Sequence, residues 1–293
     1  MKLGLQLNSF DWNGGSERFG RTLANIGRAA EEAGFDRIGV ADHVWQHPIM
    51  GGPVADEPEC YTTLAFLAAN TERAMLTAMV TGVHFRHPAV LAKMVTTLDV
   101  LSRGRAWLGI GSGHYEEETR GLGIPFPPQK QRFEILEETV QICLRMWSGE
   151  RGDERPFDGK HYRLERPLNL PQSLSRPHPP IMIAGDGEKK TLRLVARYAD
   201  ACSLRPRPEI PEKLDILRRH CEAEGRNYEE IEKTCASAFD VGEDGQKVGQ
   251  LLGQLHWLAG MGIETVVGVV SNVDQIRPLE IIGREVIPAV ADL

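Results

Sequence analysis

Asp42 and His43 stand side by side in VADHVWQHP, where a short apolar run turns polar. An imidazole titrates near neutrality, and a carboxylate can fix its tautomer or favour its charged form. The pair therefore suits proton transfer to or from a bound molecule. The competing reading is a helix-capping aspartate beside a structural histidine, because neighbouring strand residues point to opposite faces. Two histidine pairs, His43 with His47 and His84 with His87, raise a metal-dependent hydrolase as a rival class. Helical H-E-x-x-H spacing with a following carboxylate would support it. Here a proline-bearing loop carries the first pair, and a proline that starts a helix follows the second.

RAWLGIGSGHYEEE (105–118) offers Gly109, Gly111 and Gly113, then His114, Tyr115 and three glutamates. The dinucleotide fingerprint is G-x-G-x-x-G after the first strand. The third glycine here comes one residue early and a third of the way along the chain, so a Rossmann loop does not follow. In IAGDGEKKTLRLVARYAD (183–200), a strand ending at Ala184 runs into Gly185, Asp186 and Gly187, and the sequence predicts a helix from about Glu188. Amides at a helix start form an anion site that glycine lets a phosphate approach. Lys189 and Lys190 add positive charge, whereas Asp186 and Glu188 must point aside for a phosphate to bind. An ordinary tight turn is the alternative.

These groups need elements to place them. Of 293 residues, 41% are hydrophobic and 26% charged, which fits a globular protein. A net charge of −7 argues against nucleic-acid or anionic-membrane partners. Five scattered cysteines without a C-x-x-C pair point to a reducing cytoplasm. The first residues, MKLGLQLNSFDW, read as a strand and not as a signal peptide, and no run reaches a membrane span.

Apolar runs at 3–8, 37–42, 75–82, 106–111, 181–185, 200–205, 233–241 and 265–270 alternate with amphipathic helical stretches. Eight strand–helix units predict an α/β fold, a (β/α)8 TIM barrel, with a doubly wound sheet as the alternative. Residues 150–180 hold six prolines and read as an inserted excursion between the fourth helix and the fifth strand, within one domain spanning 1–293. Barrel sites gather at the carboxyl ends of the strands. That places Asn8, Asp42–His43, Thr81–Gly82, Gly111–Glu117, Gly185–Glu188 and Arg205 around one cleft.

Six segments together carry a family resemblance: ADH (41–43), TAMVTGVHFRHPAVLAK (77–93), LDVLSRGRAWLGIGSGHYEEE (98–118), GLGIPFPP (121–128), PPIMIAGDGEKKTLRLVARYAD (179–200) and LRRHCEAEGRNYEEIEKT (217–234). The chain resembles the bacterial luciferase-like superfamily and, within it, the coenzyme F420 (deazaflavin) dependent oxidoreductase branch. The resemblance implies a flavin-like ring across the strand ends, backed by a non-proline cis peptide at about Ala78–Met79. It implies cofactor contacts from Asp42, Ala78, Met79, Thr81, Gly111, Gly113, Tyr115, Ala184, Gly185, Asp186 and Gly187. It makes His43 the proton donor or acceptor, with Asp42 beside it. Dehydrogenases of this branch carry a catalytic glutamate after the G-x-G turn, and His114 stands there instead.

The expectation is a cytoplasmic enzyme, a homodimer, that transfers a hydride between F420 and a small organic substrate. The alternatives are an FMN-dependent monooxygenase using oxygen, a non-catalytic flavin-binding barrel, and the metal-dependent hydrolase. Trp45 and Tyr115 are candidate pocket walls, and the substrate itself is not specified by these residues.

Overall fold

The computed structural model describes residues 1–148 and 152–293. Strands β1 (Lys2–Leu7), β2 (Arg37–Val40), β3 (Met75–Ala78), β4 (Thr81–Gly82), β5 (Ala106–Gly111), β8 (Ile181–Ala184), β9 (Ala201–Leu204), β10 (Glu232–Phe239) and β11 (Thr265–Val270) build one sheet; β6 (Phe157–Asp158) and β7 (Arg163–Leu164) lie outside it. The sheet pairs in the order β3-β2-β1-β11-β10-β9-β8-β5-β4, and β3 also pairs with β5, so it closes. Every pairing in it is parallel. Because β4 continues the path of β3, this is an eight-stranded barrel with helices between its strands, as the alternation predicts.

Helices α1 (Gly15–Ala33), α2 (Cys60–Asn70), α3 (Pro88–Leu101), α4 (Glu116–Gly121), α5 (Gln129–Trp147), α6 (Thr191–Tyr198), α7 (Ile210–Glu224), α8 (Val248–Gly260), α9 (Arg277–Ile281) and α10 (Ile287–Val290) form the outer layer. In α1 the residues Leu23, Ile26, Gly27 and Ala30 face inward, and Gly34 ends the helix at φ 94°. The buried apolar side chains of strands and helices form one continuous cluster. Six-residue α4 is absent from the predicted elements. The last predicted helix, near 274–287, is broken instead: a π-helical turn over Ile282–Val286 separates α9 from α10.

Two features hold the frame around the site. Arg105 is buried, and its guanidinium donates to the carbonyls of Ala68, Thr71 and Ala74 at and beyond the end of α2, and to Ser102 after α3. It thus satisfies helix-end acceptors that would otherwise be stranded. The excursion is read from 150; residues 149–151 lie outside the described part. Its remainder contains the β6–β7 hairpin and is fastened to α3 by Asp99, which accepts from the amides of Leu174 and Ser175.

Candidate active site

The carboxyl ends of the strands open into a cleft of about 520 Å³. A larger recess of about 920 Å³ lies at the amino-terminal end, around Lys2, Trp107 and Glu232. That end is closed by buried Arg37, which stacks on Trp107 and pairs with Glu232, so it reads as a stabilising plug.

Asp42 and His43 both line the cleft, but they do not serve each other. Buried Asp42 takes a bidentate pair of bonds from Arg86, at 2.6 and 2.9 Å. Arg86 also reaches Glu59, which caps α2, and stacks on Tyr61. Burial opposes the Arg86 charge, but the Asp42 carboxylate outweighs it and holds the guanidinium above its ordinary range. Both residues lie beyond the end of β2, and each is drawn to its own partner, Arg86 for Asp42 and Glu118 for His43.

His43 Nδ1 meets Glu118 Oε2 at 2.8 Å. Glu118 is fully buried, and its other oxygen accepts from the amides of Val44 and Trp45. Burial alone would raise this carboxyl. The bonds from His43, Trp45 and Val44 prevail and lower it, so the group stays a carboxylate. Helix α4 is what turns Glu118, among three successive glutamates, toward His43.

Two more imidazoles join His43. The rings of His47 and His114 lie 6.0 and 5.6 Å from it and 5.6 Å from each other. Burial, then the neighbouring His43 charge, lowers the pKa of both. Tyr115 packs on His43 and His47, and its buried hydroxyl has no protein partner. It is therefore a wall of the cleft, whereas Trp45 packs against Gly121 of α4. Among the described residues, no three His, Cys, Asp or Glu side chains are grouped to hold a metal ion.

The cis peptide falls at Met79–Val80, one residue later than expected. Ala78 remains in register with Val40, and the Met79 amide still bonds the Val40 carbonyl, so the chain leaves the sheet only after Met79. Ala78 is accordingly buried and outside the cleft lining, while Met79, Val80 and Thr81 face the cleft. The Ala78 carbonyl lies so near Gly109 that a Cβ there would meet it at 2.0 Å. Gly113, at φ 78°, gives way to the His84 ring in the same manner. Both His84 nitrogens are buried without a partner, and desolvation pushes its pKa down to about 4.

At the far side of the cleft stand Ala184, Gly185 and Asp186. Gly185 has φ 118°, a conformation that side chains disfavour. Asp186 turns onto Arg205 at 2.7 and 2.9 Å, and Glu188 pairs with Lys213, so both acids do point aside. Helix α6 begins at Thr191, not at Glu188, because residues 188–190 form a wider turn, across which the Leu192 amide donates to the Gly187 carbonyl. Gly187 consequently flanks the cleft without lining it.

Glu118, Arg86 and Glu57 carry structure at this site that the sequence reading assigned to none of them. Both Glu57 oxygens are buried and unpartnered. Burial, then the charges of Glu118 and Asp42, raises its pKa to about 8. A glutamate just before Pro58 gives no sequence signal of this.

The barrel and its cleft define the chain as a (β/α)8 protein with its site at the carboxyl ends of the strands. Residues 4–277 match the family model described as luciferase-like monooxygenase, and the chain belongs to that family. An F420-dependent glucose-6-phosphate dehydrogenase from Nakamurella multipartita is 33% identical over 232 residues, which are 76% of this chain and 65% of that relative. The chain thus matches less than two thirds of the relative's length. Among solved structures, the coenzyme F420 dependent tetrahydromethanopterin reductase of Methanopyrus kandleri superimposes with a TM-score of 0.79 at 17% identity, covering 98% of each chain. The monooxygenase RslO1 from Streptomyces bottropensis gives 0.78 at 21% identity, covering 98% of this chain and 99% of that one. At these identities the likeness is one of fold. No helix among the described residues is long and apolar enough to cross a membrane.

Proposed function

We propose that this protein is an F420-dependent oxidoreductase that exchanges a hydride with a small organic substrate. The observation that carries the reading is His43, held by a buried carboxylate at the mouth of a glycine-floored cleft. The chain's similarity to an F420-dependent dehydrogenase over 76% of its length supports it.

The residues present fit such a cofactor. Met79, Val80 and Thr81 would back a flat ring, with Gly111 and Gly113 beside them making room for the Val80 and His84 side chains. Ala184, Gly185 and Asp186, with Gly187 beside them, would hold the phosphate end, where Arg205 supplies positive charge. When bound, the deazaflavin supplies or accepts the hydride. His43 gives a proton to the substrate oxygen, or removes one in the reverse direction. Glu118 fixes the His43 tautomer and the orientation of its ring. His114, its ring edge-on to His43, is the second candidate for contact with substrate. Asp42 acts through Arg86, keeping the strand end rigid.

A homodimer, a cytoplasmic location and a single domain over 1–293 belong to the same proposal. The five cysteines are free and buried, which supports a reducing compartment.

The test is anaerobic oxidation of reduced F420, read by its absorbance, with a set of carbonyl acceptors. Turnover that disappears in His43→Gln is expected. Activity seen only with reduced FMN and oxygen would overturn the reading in favour of a monooxygenase.

A further inference from the structure

We infer that Lys130, Arg132, Lys189 and Lys190 form a track for the carboxylate tail of the cofactor, beyond its phosphate. This rests on the F420 reading above and deepens it. Coenzyme F420 continues from its phosphate into a chain of glutamate carboxylates, a flexible polyanion that is best met by cations without partners of their own.

The four side chains adjoin the loop assigned to the phosphate. Arg132, at the start of α5, donates Nε to the carbonyl of Ser112 and Nη1 to that of Pro127, and it stacks on Phe126 at 3.9 Å. These contacts fix the guanidinium beside cleft-lining Ser112 without neutralising its charge. Lys190 stands over the ring of Phe133, the next residue along α5, at 5.1 Å. Lys130 lies three residues before Phe133 and shares its helix face. Lys189 is exposed between Lys190 and the Gly185–Gly187 loop.

The acids close by are engaged elsewhere. Glu116 pairs with Arg120, Glu134 with Lys160, Asp186 with Arg205 and Glu188 with Lys213. Among the described residues, no carboxylate forms an ion pair with Lys130, Arg132, Lys189 or Lys190. The strip therefore holds uncompensated positive charge in a chain whose net charge is −7. His43 is instead surrounded by Glu118, Phe85, Tyr115 and imidazoles, so the strip serves the cofactor's tail and not the reacting end. A strip this short suits a tethered carboxylate chain, held by several individually weak contacts, and not a nucleic acid.

The experiment is fluorescence titration at low ionic strength with three ligands. They are F420, F420 trimmed of its glutamates, and the deazaflavin riboside that lacks both phosphate and tail. Trimming should weaken binding at least ~10-fold, the joint effect of several exposed ion pairs, and about 0.5 M salt should shrink the gap to about twofold. In the triple variant Lys130→Gln, Lys189→Gln, Lys190→Gln, F420 should bind little tighter than its trimmed form, while affinity for the riboside holds within about twofold. Arg207 lines a separate recess with Asp186, Arg205 and Lys213, so Arg207→Gln should keep the preference for the tail. Equal affinity for F420 and its trimmed form would overturn the inference. So would a tail preference that survives the triple variant or disappears in Arg207→Gln. Failure of all three ligands to bind would remove the F420 reading itself.

Discussion

His43 and Glu118 are 75 residues apart in sequence and 2.8 Å apart in space. The carboxylate is buried, anchored by the amides of Val44 and Trp45, and bonded to His43 Nδ1, which leaves Nε2 as the ring nitrogen for a substrate. This geometry makes Glu118 a positioning residue. Glu118→Gln should lower kcat by ~100-fold, the lower part of what acid–base catalysis contributes, while F420 affinity stays within about twofold. The substrate KM should stay within about twofold, so that the loss falls on kcat. A variant whose KM rises while kcat holds would assign Glu118 a packing role.

Asp42 and Arg86 form a second buried pair, and its removal should read out in stability. Arg86→Met leaves Asp42 buried without its partner and should cost about 3 kcal/mol or more in urea unfolding. Asp42→Asn in the same chain removes the stranded charge and should return a large part of that loss. If the double variant is as unstable as the single one, the pairing is not what Arg86 contributes.

Much of this fold is legible in the sequence. Parallel strands buried on both faces appear as unbroken apolar runs, so all eight barrel positions emerge from runs such as TVVGVV and IMIAG. The site is legible as a place more than as a set of partners. Asp42, His43, Gly111 and Gly185 follow from strand ends, but Asp42 next to His43 suggests a pair, whereas Arg86 and Glu118, distant in sequence, take one residue each. Glu118 sits in a run of three glutamates, and only the turn of α4 selects it. The cis peptide is misplaced by one residue because strand register decides it, through Met79 and Val40.

Glu57 makes stability depend on pH. Its carboxyl is raised from 4.5 to about 8, so between those values the folded protein holds a proton that the unfolded chain has released. The Glu57 contribution to stability is therefore fullest below about pH 4.5 and is lost as pH rises through about 8, by at most ~1.4 kcal/mol per unit. Glu57→Gln should remove this slope and melt higher than the parent at pH 8, with little difference at pH 5. Parallel melting curves for the two proteins from pH 5 to 8 would show that Glu57 is not held neutral.

Gly185 tests the cofactor loop proposed above. With φ 118°, alanine there is strained even though its Cβ would have room beside Thr191 at 3.4 Å. Gly185→Ala should re-angle the loop and weaken F420 binding by at least ~10-fold, the equivalent of about 1.4 kcal/mol of strain. Its melting temperature should change little, because the loop faces the cleft. Unchanged affinity would remove this loop from the cofactor site.

The most direct measurement is parallel fluorescence titration of the purified protein with F420 and with FMN. The account predicts saturable F420 binding at least ~10-fold tighter than that of FMN, a difference of about 1.4 kcal/mol. Tighter binding of FMN, or no binding of F420, would contradict it.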